Sequence, residues 1–535
     1  MKLILAFLLV WTLAGPELIP TSGPIARSIV GVTENPDARK DFEKGLLLLH
    51  NFEYADAAEI FRSAQKKDPH FALAWWGEAM TYNHPIWLSQ DYERARAVIK
   101  NCDKISRTRT RKLTTLEADL LKSLDHLYGE GAKQQRDKAY SDFMATLFHR
   151  YKGNEDVAAF YALSLLGVAG GWDETLCNQA ADIAGAILKE NPDHPGALHY
   201  FIHAEDHPDF ARIALDQANR YANIASYSGH ALHMPSHIYL ALGLWDDVVK
   251  SNEVSWQAGI DRKEAKKLNN NALNYHAHWW LAYGYLQQGR FAKAEKLVRN
   301  QLTFTRTLAS APARTHFVIM RGHFLLETND WNNSLADEEV KTQDLRIEIR
   351  TLDRFLKGLK AHWQHDEKTL TSLTAEIEKD IKSAQQISII ADGITQCNAP
   401  PSGSTGIRQA TILLEELKGL QAQMKKDNAG ARLHFEKAVE LEEANGHFFG
   451  PPEILKPTSE FYGEFLLTTR DYEGARANFE NALRKTPGRN QSLWGLSEAY
   501  QRTGMGEKEK QVSEAIELNL HNSDGSPVKP FFHPN

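Results

Sequence analysis

A chain of 535 residues with 42% hydrophobic side chains is long enough for several domains or for one extended repeat array around a sizeable core. Its 62 Lys and Arg are scattered among 69 Asp and Glu, for a formal net charge of −7. No basic stripe suited to phosphate backbones stands out, so nucleic acid is not an expected partner. Cys102, Cys177 and Cys397 allow at most one internal disulfide, which excludes a disulfide-built fold and a Cys-rich zinc module.

The first element is a leader. Lys2 precedes an apolar run from Leu3 to Ala14, and a segment bearing Pro16, Pro20 and Ser22 follows. This pattern reads as a secretory signal peptide over 1–23, with cleavage near Gly23 or, alternatively, near Gly15. It implies a secreted protein, extracellular or periplasmic according to source. The run is short for a membrane span, and no later segment approaches the roughly 20 apolar residues that a span needs. Asn332 and Asn490 begin N-x-S triplets that could carry glycans if the source is a eukaryote.

Next comes a recurring spacing. Ala57, Phe61, Ala64 and Pro69 are separated by gaps of 4, 3 and 5, as are Ala180, Ala184, Ile187 and Pro192, and Ala475, Phe479, Ala482 and Pro487. Ala431, Phe435 and Ala438 keep the first two gaps. Partner-helix signals accompany them: Tyr239, Leu242, Gly243 and Trp245, then Tyr285, Gly289, Phe291 and Ala294. Small Ala lets paired helices approach, the aromatic plugs the gap between pairs, and Gly or Pro ends each helix.

These spacings resemble the tetratricopeptide repeat family. The resemblance implies an all-α superhelix of stacked antiparallel helix pairs with no sheet of consequence. It divides the chain into an N-terminal array over 37–340, a helical connector and loop over 341–405, a C-terminal array over 406–520 and a tail over 521–535. The connector helices are amphipathic but lack the repeat signature, and the loop is rich in Pro, Gly, Ser and Asn. Three stretches, around Phe52–Trp87, His230–Glu253 and Gly450–Ala475, are also similar to poorly characterised secreted and bacterial proteins of this kind. That similarity implies a fold and no known reaction.

The repeat register singles out histidines. With the first-helix aromatic at position 11 and Gly at 15, His230, His233 and His237 fall at positions 2, 5 and 9, on one helix face. His199 and His203 take 5 and 9 of the preceding repeat, each 34 residues before its counterpart in His233 and His237. His276 takes position 2 of the following repeat, with Trp279 and Tyr283 at 5 and 9, and His316 and His323 take 2 and 9 of the next. In the family that the chain resembles, this face lines the concave groove and contacts ligands.

An i, i+4 His pair can hold one ion through both imidazoles, and neutral imidazole suits Zn, Cu or Fe. His199, His203, His230, His233, His237 and His276 are therefore the candidate metal ligands. Glu205 and Asp206, just after His203, could orient an imidazole N–H or bind directly. His84 and His207 stand beside the groove at position 13, and Arg321 could meet an anionic ligand. Glu460 and Glu464 take positions 5 and 9 in the C-terminal array. They form either a solvated acidic face or, if the superhelix curls, carboxylates facing the histidines. HExxH, P-loop, GxGxxG and GxSxG motifs are missing.

The leading expectation is a secreted repeat protein whose His-lined groove binds a transition metal, a small or peptide ligand, or both. The alternatives are a metal-dependent oxidase or hydrolase using the same cluster, and a metal-free scaffold for a peptide or protein partner.

Overall fold

The computed structural model describes residue 29 and residues 32–391, 404–446 and 449–525. The expected signal peptide over 1–23, Cys397 and the end of the tail lie outside the described residues. From Pro36–His50 and Tyr54–Lys67 to Asn490–Thr503 and Gly506–Leu520, the chain is a succession of helices, most packed against the one before. The fold is an all-α tetratricopeptide-repeat superhelix. Among the described residues the strands are two residues each: Asn83 faces Gln90 and His84 faces Ser89 in an antiparallel hairpin.

The Ala–Phe–Ala spacing does its work in three places. Ala57, Phe61 and Ala64 are fully buried on the inner face of Tyr54–Lys67. The Phe61 ring fills the space where a Cβ on Gly45 or on Gly77 would sit, at 2.7 Å and 2.4 Å. Phe479 lies in the same way between Gly463 and Gly495, and Phe435 lies on Gly419. An aromatic on the second helix thus needs small residues on the first helices either side, and this fixes the stacking of successive pairs.

The connector is built into the stack. Ile347–Trp363 packs on Ala311–Thr328 before it and on Glu367–Ala391 and Ser404–Met424 after it. Leu417 and Leu370 close around Gly358. The repeat spacing is missing here because leucines, rather than an Ala–Phe–Ala row, fill this interval.

The superhelix curls until its C-terminal part touches its N-terminal part. Gly243, which turns the chain with φ +69°, lies so close to the C-terminal array that a Cβ would sit 2.9 Å from the Pro487 carbonyl oxygen. The Trp245 indole donates to the Gly488 carbonyl at 2.9 Å. Gly450 lies flat on the Trp280 ring, where a Cβ would be 2.3 Å from the nearest ring atom.

The join is centred on Arg489. This fully buried guanidinium donates to both oxygens of Glu460 at 2.8 and 2.9 Å, to the Tyr283 hydroxyl at 3.0 Å and to Glu327. Lys456 adds a 2.5 Å bond to Glu464 and lies 3.7 Å from Glu460. The expectation of a solvated acidic face at Glu460 and Glu464 is therefore corrected: both are buried and paired with cations. Asn490 is likewise buried, its amide donating to the Gln287 carbonyl, which leaves no room for a glycan on the folded chain, whereas Asn332 is exposed.

Removing one partner from a buried ionic cluster strands the others without water. Arg489→Ala should lower the unfolding free energy by about 3–5 kcal/mol, as expected for a broken buried pair. Urea titration followed by circular dichroism measures it. A midpoint unchanged from wild type contradicts the assignment of Arg489 as the joint.

Candidate metal centre

The histidines arrive on four neighbouring helices. His199 and His203 lie on Pro195–Ala204, whose N-terminus is capped by the His194 ring accepting from the Ala197 N–H at 3.1 Å. His230 and His233 lie on Gly229–His233, and His237 lies on Pro235–Ala241. Met234 between these last two keeps helical angles, φ −53° and ψ −38°. The break is one of hydrogen bonding, because Pro235 has no N–H to donate back. His276 lies on Tyr275–Gln287.

The six rings converge. Centroids of His199 lie 4.9 Å from His203 and 5.0 Å from His230; those of His233 lie 5.0 Å from His237 and 4.7 Å from His276. His203 and His237, 5.4 Å apart, link the two groups. Phe52 caps the first group, 4.2 Å from His199 and 5.4 Å from His230, and Trp280 caps the second, 4.8 Å from His233 and 4.5 Å from His237. Phe52 holds φ at +57°, a strained position for an aromatic residue that its ring packing against the imidazoles offsets.

Three of the six rings have their tautomer set from outside. His199 Nδ1 lies 2.7 Å from the His50 carbonyl oxygen, His233 Nδ1 lies 2.6 Å from Asn252 Oδ1, and His237 Nδ1 lies 2.5 Å from Asp206 Oδ2. Each of these partners accepts, and the Asn252 amide nitrogen is itself spent on the Val248 carbonyl at 2.8 Å. Each Nδ1 therefore carries its proton, and each Nε2 presents a lone pair to the interior. His233 Nε2 and both nitrogens of His203 are buried without a hydrogen-bond partner among the described residues.

Burial keeps His199, His203, His230, His233 and His276 neutral. It pushes His199 and His233 down to about 3. Burial first, and neighbouring imidazoles second, hold His203, His230 and His276 well below the ordinary histidine value.

The other sequence candidates fall differently. Asp206 joins the cluster as the acceptor for His237. Glu205 does not: it is buried toward Asp182, and burial with that neighbour raises it to about 7. Arg321 is taken by Asp353 and the Glu338 carbonyl, so the expectation that it meets an anionic ligand is corrected. Glu460 and Glu464 face Arg489 and Lys456 rather than the six histidines. His323 sits apart between Trp279 and Tyr283, and His316 bonds the Pro312 carbonyl. His84 stacks on Tyr54. His207 stacks on Trp172 at the wall of a cavity of about 530 Å³ shared with Gly450 and Lys485.

Sequence reasoning missed His50, Asp156, His194 and Asn252. Asp156 accepts from His50 Nε2 at 2.7 Å and from the Ile29 N–H at 2.7 Å, with His194 Nε2 at 3.3 Å. This trio fixes the end of Pro36–His50, and through it the His50 carbonyl that orients His199. A signal existed for one of the four: His50 precedes His84 by 34 residues, one full repeat.

Residues 466–518 match the tetratricopeptide repeat family model. Among solved structures, the human IFIT1 dimer with m7Gppp-AAAA is similar at 13% identity and a TM-score of 0.35, over 92% of this chain and 96% of that one. Yeast Tom70 is similar at 10% identity and a TM-score of 0.32, over 90% and 93%. No curated protein matches the chain in sequence.

A histidine that folds neutral and unfolds into water binds its proton only when unfolded. With folded values pushed below the ordinary 6.5, these groups contribute stability that is complete above pH 6.5 and is lost as pH falls from 6.5 toward 3. Glu53, Glu205, Glu327, Glu416, Glu442, Glu453 and Glu464, all raised by burial, act in the opposite sense, since the folded state holds their protons. They are outnumbered by twelve lowered histidines, the five just named with His50, His84, His207, His278, His316, His323 and His362. Metal-free protein should therefore show a urea midpoint that falls steadily from pH 7 to pH 5. A midpoint that holds or rises contradicts buried neutral imidazoles.

Proposed function

We propose that this protein binds a transition metal through the histidine cluster of its repeat superhelix. The observation that carries the reading is the outer ring of acceptors. The His50 carbonyl, Asn252 and Asp206 each take an Nδ1 proton and turn an Nε2 lone pair inward, the arrangement by which metal-ligating imidazoles are oriented. Unpartnered nitrogens on His203 and His233 are costly in a buried site unless something binds them. A metal ion meets that need, and Zn, Cu or Fe suits neutral imidazole.

The leader bearing Lys2 and the apolar run after it support a location outside the cytoplasm, as in the sequence expectation. A helical-repeat scaffold also suits a protein or peptide partner. Over Tyr283 to Glu327, however, the chain's own Leu455 and Arg489 occupy the inner side of the superhelix. A second reading, metal-dependent oxidation or hydrolysis, is favoured by the grouping of the imidazoles in threes, which leaves a coordination position open for water or substrate.

The test uses untagged protein dialysed against a weak chelator, with metal content read by mass spectrometry. His233→Ala should lose metal, whereas His434→Ala, which alters a ring bonded to Glu415 on a distant helix pair, should keep it. Asn252→Ala should weaken metal affinity about 10–100-fold, as loss of an outer partner does. Equal retention in all three variants and wild type rules the site out.

A further inference from the structure

We infer that the cluster is built for two metal ions, one held by His199, His203 and His230 and the other by His233, His237 and His276. This deepens the metal-binding reading and rests on it.

The argument begins with the limit on one ion. Imidazole nitrogens bind zinc at about 2.0–2.1 Å and four ligands complete a tetrahedral shell, so six rings exceed what one such ion takes. The six divide by geometry. In each set of three, one nitrogen per ring can be chosen so that all lie within 4.8 Å of one another. His199 Nε2 and His230 Nε2 already face each other at 3.1 Å.

Each set has its own orientation from outside. The first is fixed through His199 by the His50 carbonyl, the second through His233 by Asn252 and through His237 by Asp206. Each also has its own buried, unpartnered nitrogens among the described residues, on His203 in the first and on His233 in the second. Each has its own aromatic lid, Phe52 or Trp280.

The sets are adjacent. His203 of the first and His237 of the second, with Asp206, also place ligand atoms within 4.8 Å of one another. The two ions would therefore share a wall, and two metals that act on one bound group sit roughly 3.5–4 Å apart. The sequence supplies the origin of the pairing: His203 and His237 occupy one repeat position on successive helices, so stacking the repeats brings the two sets side by side.

His230 and His276 are the half-buried members of their sets and tolerate replacement best, so the test uses His230→Gln, His276→Gln and the double variant. Untagged full-length protein is loaded with Zn or Cu, stripped of loose metal and measured for ions per chain, with circular dichroism as the check on folding. The expected result is two ions in wild type, one in each single variant and none in the double variant. X-ray absorption of the loaded wild type should add a metal–metal scatterer within about 4 Å, a readout that needs no variant. One ion in wild type overturns the two-ion inference and leaves the metal-binding reading standing. No ion in wild type overturns both, and a folded single variant with no ion overturns the division into two sets.

Discussion

A neutral imidazole has one donor and one acceptor, and taking it out of water obliges the protein to answer both. At the centre of this superhelix the donors are answered by the His50 carbonyl, Asn252 and Asp206. Of the acceptors, His199 Nε2 meets only His230 Nε2, at 3.1 Å, and His233 Nε2 has no hydrogen-bond partner among the described residues. Burial rules out the simplest relief, protonation, because it drives His199 and His233 down to about 3. The surrounding structure depends on this arrangement: the end of Pro36–His50, the N-cap Ser228 whose hydroxyl accepts from the Ala231 N–H at the start of Gly229–His233, the strained backbone at Phe52 and the flat contact of Gly450 on Trp280 all serve to hold six rings together. An ion that accepts lone pairs resolves the conflict without adding a buried charge that lacks ligands.

The second constraint is closure. An open solenoid of helix pairs would leave the histidine face washed by solvent, and the imidazoles would titrate near their ordinary value. Here the C-terminal repeats turn back, and Arg489 ties Glu460 to Tyr283 and Glu327 in a buried ionic cluster. Such clusters contribute little net stability but tolerate few alternative arrangements. Burying Glu460 opposes ionisation, yet Arg489 and Lys456 outweigh that penalty and hold it below the usual carboxylate range. Closure and desolvation of the histidine cluster are thus linked through Trp280, which touches Gly450 on one side and His233 and His237 on the other.

Much of this was legible in the sequence because repeats convert spacing into geometry. Ala57, Phe61 and Ala64 announce a helix pair, and residues 34 apart land on neighbouring helices, so His203 and His237 could be placed side by side from numbers alone. What was not legible depends on contacts without a period. Asn252 sits on a second helix, where its side chain could as well have faced solvent. His50 lies 149 residues from His199, and it is the backbone carbonyl of His50, invisible to residue type, that orients His199. Glu460 and Glu464 were read as acidic groove positions, either solvated or facing the histidines, and are instead buried against cations. Their cations, Lys456 and Arg489, lie in turns that carry no repeat register. Arg321 was misplaced for the same reason, since its partner Asp353 belongs to a helix without the repeat signature.

The proposed metal site is tested most directly by the atoms that surround its ion. X-ray absorption at the metal edge, on protein purified from its native host without an affinity tag, reads the ligands directly. The structure predicts nitrogen scatterers at about 2.0–2.1 Å, with the longer-range imidazole signature and no sulfur in the inner shell, since the cysteines among the described residues, Cys102 and Cys177, lie elsewhere, buried on other helices. A shell of sulfur, or of oxygen without imidazole, would contradict it.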